Sequence, residues 1–357
     1  MIIKSPKVSV IISANQESQY LLETIDSVRQ QSFKDFEICV CYDRTVSNLD
    51  RLCPRLQDYP LRLLDRSDLN STEILNLGIA ETQGEYIALL KAGDLWHPHK
   101  LEKQLFYLEH YPSLGLIHSW VTKIDKRGKS LGKIVKCELS GWVESEILQR
   151  NQIGYSSAIV RRNCLEKVGL FDSQLKTGFD WDMWIRLSRC YEFSMISESL
   201  VHYRQPRNQI EESWLTRETD LQATIEKAYQ NVSENLLDLK NRSYGYASLN
   251  LAWQVLDDRN PDPAIVDHYC RQALEHYPSI GLSGEFVRVN LAVTVLHCLG
   301  RDRYICLDSL LDKIRSWQQR TENRFQEFAH LLLDWMLQEE DEKQEARKVL
   351  RRIKDKG

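Results

Sequence analysis

Short apolar runs alternate with amphipathic helical patterns through the first part of the chain. Val8–Ile12, Phe36–Tyr42 and Tyr86–Leu90 have the length and the residue types of buried strands, and each run ends in polar residues. Between these runs, Tyr20–Gln31 and Ser71–Thr82 place apolar side chains at helical spacing. Strands that alternate with helices predict an α/β domain built on a mostly parallel sheet.

Two smaller patterns extend this prediction. Leu61–Leu64 is a candidate third strand, and Gly84 is a candidate stop for the helix that precedes it.

In parallel sheets, ligands bind at the carboxyl ends of the strands. Asp43 directly follows one predicted strand and the Lys91–Asp94 turn follows another, so we expect Asp43, Lys91 and Asp94 to line one pocket.

The pattern changes near residue 211, and helical spacing dominates from there to the C-terminus. The boundary predicts an α/β domain over 1–210 and an all-α domain over 211–357. Asn250–Leu256 recurs as Asn290–Leu296, at the spacing of a helical-hairpin repeat. Two copies leave a true repeat and a chance echo both open. If the chain has a protein partner, this helical domain is the expected contact.

Composition narrows the function classes. Hydrophobic residues make up 42% of the chain and charged residues 27%, which is globular composition. A net charge of -4 argues against nucleic acid as a partner. No apolar run has the length of a transmembrane helix or of a signal-peptide core. A membrane-made product would therefore require peripheral contact or a partner. The cysteines are scattered, as in reduced cytoplasmic proteins.

Eight segments, in the right order, resemble the family 2 glycosyltransferases, which have the GT-A fold. The resemblance implies inverting transfer of a sugar from a nucleotide-sugar donor to a saccharide or lipid-linked acceptor, as in polysaccharide biosynthesis. The segments are Val8–Glu17, Ser27–Phe33, Phe36–Asp43, Asn76–Ile87, Asp94–Gln104, Val168–Asp172, Phe179–Leu187 and Tyr203–Arg204.

The resemblance puts the catalytic carboxylate, the general base, at Asp180. Phe179 stands where the family has a glutamate, and an apolar neighbour raises the pKa of a carboxyl group, which suits a base. The alternative role is a cap for the helix that follows, and both roles are compatible. The flanking Trp181 and Asp182 are expected on the acceptor side.

The family's metal motif is not retained. Where the family has Asp-x-Asp-Asp, the chain has Lys91-Ala92-Gly93-Asp94, and Pro206 stands where many members carry a histidine. A single carboxylate is a poor site for a divalent cation, and the Lys91 ammonium would repel one. We therefore expect no metal cofactor.

Nucleotide recognition is expected to depend on Asp43 and Asn76. In the family, an acidic residue at the Asp43 position accepts an N–H of the base, although aspartate also starts turns at such strand ends. Asn76 is expected to brace a loop near the nucleotide, and its alternative is a helix-surface amide.

Three hypotheses remain open for the domain. In the first, it is a metal-independent transferase in which Lys91 or Arg44 supplies the positive charge for the departing diphosphate. In the second, it is a degenerate relative that binds a sugar nucleotide, an acceptor or a partner. In the third, Lys91 points to solvent and the domain is a scaffold.

Overall fold

A computed structural model describes residues 5–14, 20–42, 60–66, 68–205, 213–230, 232–258, 260–298 and 300. Within these residues the strands form one sheet, with helices on both of its faces. Elements are numbered here in chain order over the described residues. The strands are β1 Val8–Ser13, β2 Phe36–Tyr42, β3 Arg62–Asp65, β4 Tyr86–Lys91, β5 Leu95–Trp96, β6 Leu114–Ile124, β7 Ser130–Val135, β8 Ile159–Arg161 and β9 Glu192–Arg204. The helices of this part are α1 Leu21–Arg29, α2 Ser71–Ala80, α3 Lys100–His110, α4 Glu144–Gln149, α5 Arg162–Val168 and α6 Phe179–Ser188.

The sheet has a parallel half and a mixed half. Its order is β3-β2-β1-β4-β8-β6-β9-β5, with β7 paired to β6. Strands β3, β2, β1 and β4 run parallel, whereas β8 is antiparallel to both of its neighbours and β5 is antiparallel to β9. The predicted α/β class is confirmed, and the expectation of a mostly parallel sheet holds for six strands, because β6 and β9 are parallel to each other and run in the same direction as the first four. The pattern did not reveal the later strands, because half-polar strands carry no continuous apolar run.

The sheet must curl back on itself. Strand β5 follows β4 after only three residues, 92–94, yet β8, β6 and β9 lie between these two strands in the sheet. Four strand spacings of about 4.8 Å would separate them by about 19 Å in a flat sheet. Lys91 and Leu95 are joined by a chain that spans at most about 14 Å. The curl therefore brings the turn after β4 against the end of β9.

Each face of the sheet buries its own apolar cluster. Val10 and Ile12 of β1 pack with α1 and α3 on one face, whereas Ile11 packs with α2, α4 and α6 on the other. This alternation follows from the period of two along a strand. Gly84 is not the left-handed residue expected at the end of α2. It lies against β1, and a Cβ at this position would come within 2.3 Å of the Ser9 nitrogen.

The described part of the C-terminal region is helical. Its helices have their own apolar cluster, which includes Leu251, Tyr269 and Val289. The boundary near residue 210 and the hairpin repeat stay predictions, because 206–212 and 301–357 lie outside the described residues. No helix of the described residues is long and apolar enough to cross a membrane. These helices are α7 Trp214–Tyr229, α8 Lys240–Asp257, α9 Pro263–His276 and α10 over 284–298.

Candidate active site

The carboxyl ends of the central strands meet at one edge of the sheet. The parallel register pairs Ser13 of β1 with Cys41 of β2 and with Lys91 of β4. Asp43 comes two residues after Cys41, but it lies outside the described residues. The register brings the ends of β2 and β4 to the same edge of the sheet, but neither Lys91 nor Asp94 lines the cavity described below. A single pocket lined by Asp43, Lys91 and Asp94 stays a prediction.

The Lys91–Asp94 turn is fixed by hydrogen bonds from two directions. The Ala92 amide donates to the Ser13 carbonyl at 2.8 Å, and the Gly93 amide donates to Thr24 Oγ1 at 2.9 Å. Gly93 has a φ of 103°, a conformation that residues with a Cβ rarely adopt. The backbone at this position thus favours glycine over the carboxylate that the family's motif would supply.

Asp94 is buried, and both of its oxygens accept hydrogen bonds from the protein. Ser156 Oγ donates to Oδ2 at 2.5 Å, and the Arg204 backbone amide donates to Oδ1 at 3.0 Å. Burial raises the pKa of Asp94 to about 6, although these hydrogen bonds and the positive charges of Lys91 and Arg204 oppose the shift. Asp94 therefore holds the turn against β9.

Arg204, at the end of β9, fixes this turn to the rest of the domain. Its Nε donates to the Gly93 carbonyl at 2.9 Å, and its guanidinium lies 4.1 Å from the centre of the Tyr20 ring. The same guanidinium donates to Glu23 at 2.7 Å. Sequence reasoning matched Arg204 to the family's terminal Tyr-Arg without assigning this role.

An Asp94→Asn variant is expected to be more stable than the wild type at pH 7, and to lose this advantage near pH 4. The native carboxyl group keeps its proton up to about pH 6, whereas the unfolded group, with the ordinary pKa of 3.8, has released it. The free energy of unfolding of the wild type therefore falls as the pH rises through this interval, by up to about 3 kcal/mol.

Urea unfolding of both proteins from pH 4 to pH 7 measures this difference, with the exposed Asp238→Asn as the matched control. A stability difference between Asp94→Asn and the wild type that does not change with pH would contradict the burial of Asp94.

Asp180 lies in the first turn of α6, at the wall of a large cavity. Its Oδ1 accepts the Trp181 amide at 2.8 Å and its Oδ2 accepts Asn151 Nδ2 at 3.1 Å. Burial raises the pKa of Asp180, and the hydrogen bonds from Asn151 and Trp181 and the charge of Lys91 oppose the shift. The helix begins at Phe179 with Gly178 as its N-cap and no side-chain cap, so Asp180 does not have the capping position of the alternative. Its carboxyl group lines the cavity.

The exposed Lys91 links the two carboxylates electrostatically. Its positive charge lowers the pKa of Asp94 and that of Asp180, against the larger effect of burial on each group. The Lys91 ammonium is thus close enough to both carboxylates for its charge to act on them. Ser156 also accepts the Lys91 backbone amide at 3.1 Å, which fixes the end of β4.

The other predicted site residues make contacts within the protein. Asn76 Nδ2 donates to the Phe171 carbonyl at 2.7 Å, and its Oδ1 accepts the Phe171 amide at 3.0 Å, so Asn76 braces this loop. Trp181 is 2% exposed and donates its indole N–H to Ile147. Asp182 is buried and pairs with Arg186 and Lys227. Trp181 also lines the cavity beside Asp180, whereas Asp182 does not. The expected acceptor role of both residues stays a prediction.

The chemistry of this edge does not suit a divalent cation. Among the residues that the structure describes, no group of three His, Cys, Asp or Glu side chains could hold a metal ion. The remaining carboxylate of the motif, Asp94, is engaged by Ser156 and by Arg204, and an ammonium replaces the first carboxylate at Lys91. The described residues of this turn therefore do not form the carboxylate set that the resemblance implies, and the expectation of no metal cofactor stays a prediction.

Comparison with known proteins places these residues in a family. Residues 9–157 match the family described as Glycosyl transferase family 2. An uncharacterized glycosyltransferase of Methanocaldococcus jannaschii is 31% identical over 209 residues, which cover 56% of this chain and 71% of that protein. An uncharacterized glycosyltransferase of Nostoc sp. is 28% identical over 250 residues, which cover 65% of this chain and 76% of that protein.

A solved structure shows the same fold. The mannosyltransferase of Pyrobaculum calidifontis, in complex with GDP-Man and Mn²⁺, superposes with a TM-score of 0.52. The superposition covers 90% of this chain and 89% of that chain, at 14% sequence identity. The expected GT-A architecture, followed by a helical region, is confirmed by this likeness and by the described elements.

Proposed function

Since the chain belongs to glycosyl transferase family 2, we propose that its α/β domain transfers a sugar from a nucleotide-sugar donor to an acceptor hydroxyl, with inversion and without a metal ion. Asp180 is the general base, and Lys91 supplies the positive charge that a cation would otherwise supply. The observation that carries the proposal is the position of Lys91, whose charge acts on both Asp180 and Asp94. A saccharide or lipid-linked molecule is the acceptor, and a lipid-linked one would require peripheral membrane contact.

The proposed reaction is one displacement. Asp180 accepts the proton of the acceptor hydroxyl, whose oxygen attacks the anomeric carbon of the donor. The bond between that carbon and the diphosphate oxygen breaks, and its electron pair leaves with the nucleoside diphosphate. The Lys91 ammonium lies near the carboxyl ends of the strands and offsets the charge of the leaving diphosphate. A carboxyl group whose pKa is raised by burial accepts a proton more readily than an ordinary aspartate does.

The nucleotide sugar as donor class is supported by the family and by the solved mannosyltransferase complex with GDP-Man. The Mn²⁺ of that complex is not carried over to this chain, because Lys91 brings a positive charge to the turn and both oxygens of Asp94 are bonded within the protein. The base of the nucleotide is expected to contact Asp43.

The second candidate function is binding without turnover. It is favoured by Gly93, whose positive φ disfavours a side chain, and by Asp94, whose oxygens are both engaged. A domain with this turn can hold a sugar nucleotide or an acceptor even if it no longer transfers sugar. The third, a scaffold, is favoured by the solvent exposure of Lys91 alone.

One screen separates these functions. Binding and hydrolysis of UDP- and GDP-sugars are measured with the whole chain, in EDTA and in Mn²⁺. The transferase predicts binding and release of nucleoside diphosphate in EDTA. Binding without release in either condition identifies the degenerate relative, and neither binding nor release identifies the scaffold.

A further inference from the structure

The cavity beside Asp180 lies between the α/β domain and the helical region. Its volume is about 650 Å³, within the range of small-molecule binding sites. Asp180 and Asn151 line it from the α/β domain, whereas Tyr246 and Asn250 of α8 line it from the other side. A molecule bound there would contact the proposed base and the helical region at the same time.

The side chains that line this cavity carry a net positive charge, whereas the net charge of the whole chain is negative. The chain has a net charge of -4, yet the cavity is lined by four cationic side chains and two carboxylates. The cations come from the α/β domain and from α7 and α10, and the carboxylates come from α6 and α10. The cationic side chains are Lys136, Arg150, Arg217 and Arg288, and the carboxylates are Asp180 and Glu285.

Contacts within the protein hold two of the three guanidinium groups, those of Arg150 and Arg217. Arg150 Nη1 bonds to Glu285 at 3.1 Å, and its guanidinium lies 5.0 Å from the centre of the Tyr246 ring. Arg217 Nη1 donates to Gln254 Oε1 at 2.7 Å. Arg288 is exposed at the wall of the cavity, and no ion-pair partner for it is found within the described part of the chain. Glu285 is thus engaged by Arg150, and Asp180 is the other carboxylate of a lining that also contains Lys136, Arg217 and Arg288.

We propose that this cavity binds the acceptor, and that the acceptor is an anionic saccharide that carries carboxylate or phosphate groups. The inference depends on the proposed function, because it takes Asp180 as the base that meets the acceptor hydroxyl. Guanidinium groups bind carboxylates and phosphates through paired hydrogen bonds. The helical region, through Arg217 and Arg288, thus supplies half of the acceptor site and sets its preference for negative charge.

The test measures acceptor binding directly, in the whole chain. The probes are three short oligosaccharides of equal length: one of uronic acids, one with phosphodiester links, and one neutral. Titration calorimetry is expected to show that at least one anionic probe binds and that the neutral probe binds more weakly. The better of the two anionic probes identifies the carboxylate or the phosphate as the recognised group.

Arg288→Gln is expected to weaken binding of the preferred anionic probe about tenfold, since hydrogen bonds to charged groups are worth more than neutral ones. Arg271→Gln, an exposed substitution on α9 away from the cavity, removes the same charge and is the matched control. Equal binding of neutral and anionic probes, or equal effects of the two substitutions, would overturn the inference.

This binding experiment is independent of catalysis. If an anionic probe binds in the cavity but no nucleotide sugar is turned over, the proposed function fails and the anionic site stands. If a nucleotide sugar is turned over but neither anionic probe is preferred, the acceptor inference alone fails.

Discussion

Replacing Asp180 with asparagine is expected to lower the rate of sugar transfer about a hundred- to ten-thousandfold, the usual contribution of a general base. The amide cannot accept the proton of the acceptor hydroxyl, but it retains an oxygen for the Trp181 amide. Nucleotide-sugar binding is expected to stay nearly intact, because Asp180 lines the cavity that we propose for the acceptor. Transfer kinetics and donor titration, measured on the same preparation, separate these two effects.

We do not expect unfolding of the Asp180→Asn variant to explain its lower rate of sugar transfer. Because burial raises the pKa of Asp180, its ionised form costs free energy in the native state at neutral pH, and the amide removes this cost. The exposed Asp238→Asn variant controls for the change of charge. Full transfer activity in Asp180→Asn would remove this residue from the mechanism.

Lys91→Asp is expected to weaken nucleotide-sugar binding in EDTA and to make the domain responsive to Mn²⁺. Two unit charges about 5 Å apart interact by about 3 kcal/mol at an effective dielectric near 20. The Lys91 ammonium would therefore attract a diphosphate and repel a metal cation at this distance. The substitution removes that attraction and returns one carboxylate to the position beside Asp94. Donor titrations with and without Mn²⁺ measure both effects.

Two further variants test whether the charge of Lys91 causes the change in donor binding. Lys91→Gln, which removes the charge without reversing it, is expected to weaken donor binding less than Lys91→Asp. Lys34→Asp reverses an exposed charge just before β2, at the opposite end of that strand, and is expected to leave binding unchanged. If Lys91→Asp binds the donor as tightly as the wild type does in EDTA, Lys91 does not replace the metal ion.

The pattern of apolar residues along the chain predicted the first four strands of the sheet, β1 to β4. The runs at Val8–Ile12, Phe36–Tyr42 and Tyr86–Leu90 correspond to β1, β2 and β4, and Leu61–Leu64 overlaps β3. Strands β1, β2 and β4 are buried on both faces over most of their length, so each is a continuous apolar run, whereas β3 at the edge of the sheet has an exposed Arg62. The apolar pattern did not predict β6 and β9 because polar side chains interrupt them, and motif resemblance covered β9 through Tyr203–Arg204 alone.

The contacts of the site were less accessible to sequence reasoning. Ser156 meets Asp94 from 62 positions away, and the Arg204 amide meets it from 110 positions away. Asn151, the partner of Asp180, lies in a stretch without a recognisable motif. No local pattern encodes such pairs, because the curl of the sheet and the packing of α6 create them. Motif resemblance singled out Asp180, Lys91 and Asp94, since each occupies a fixed place in an ordered series of segments, and their roles in the site stay predictions.

The cavity could not be predicted, because it needs two regions of the chain at once. Arg150 belongs to the α/β domain and Glu285 to α10, and their ion pair crosses the boundary that the sequence predicted near residue 210. Helical periodicity identified the later helices but contains no information about which of their faces turn toward the sheet. The positive lining of the cavity therefore emerged only from the three-dimensional arrangement.

In the proposed mechanism, the chain transfers a sugar without a metal ion. Asp180 is the general base, and Lys91 offsets the charge of the leaving diphosphate. The most direct test measures the release of nucleoside diphosphate from the preferred nucleotide sugar by the wild type, in EDTA and in Mn²⁺. We predict release in EDTA at the same rate as in Mn²⁺. Release that stops in EDTA and returns when Mn²⁺ is added would contradict the metal-independent mechanism.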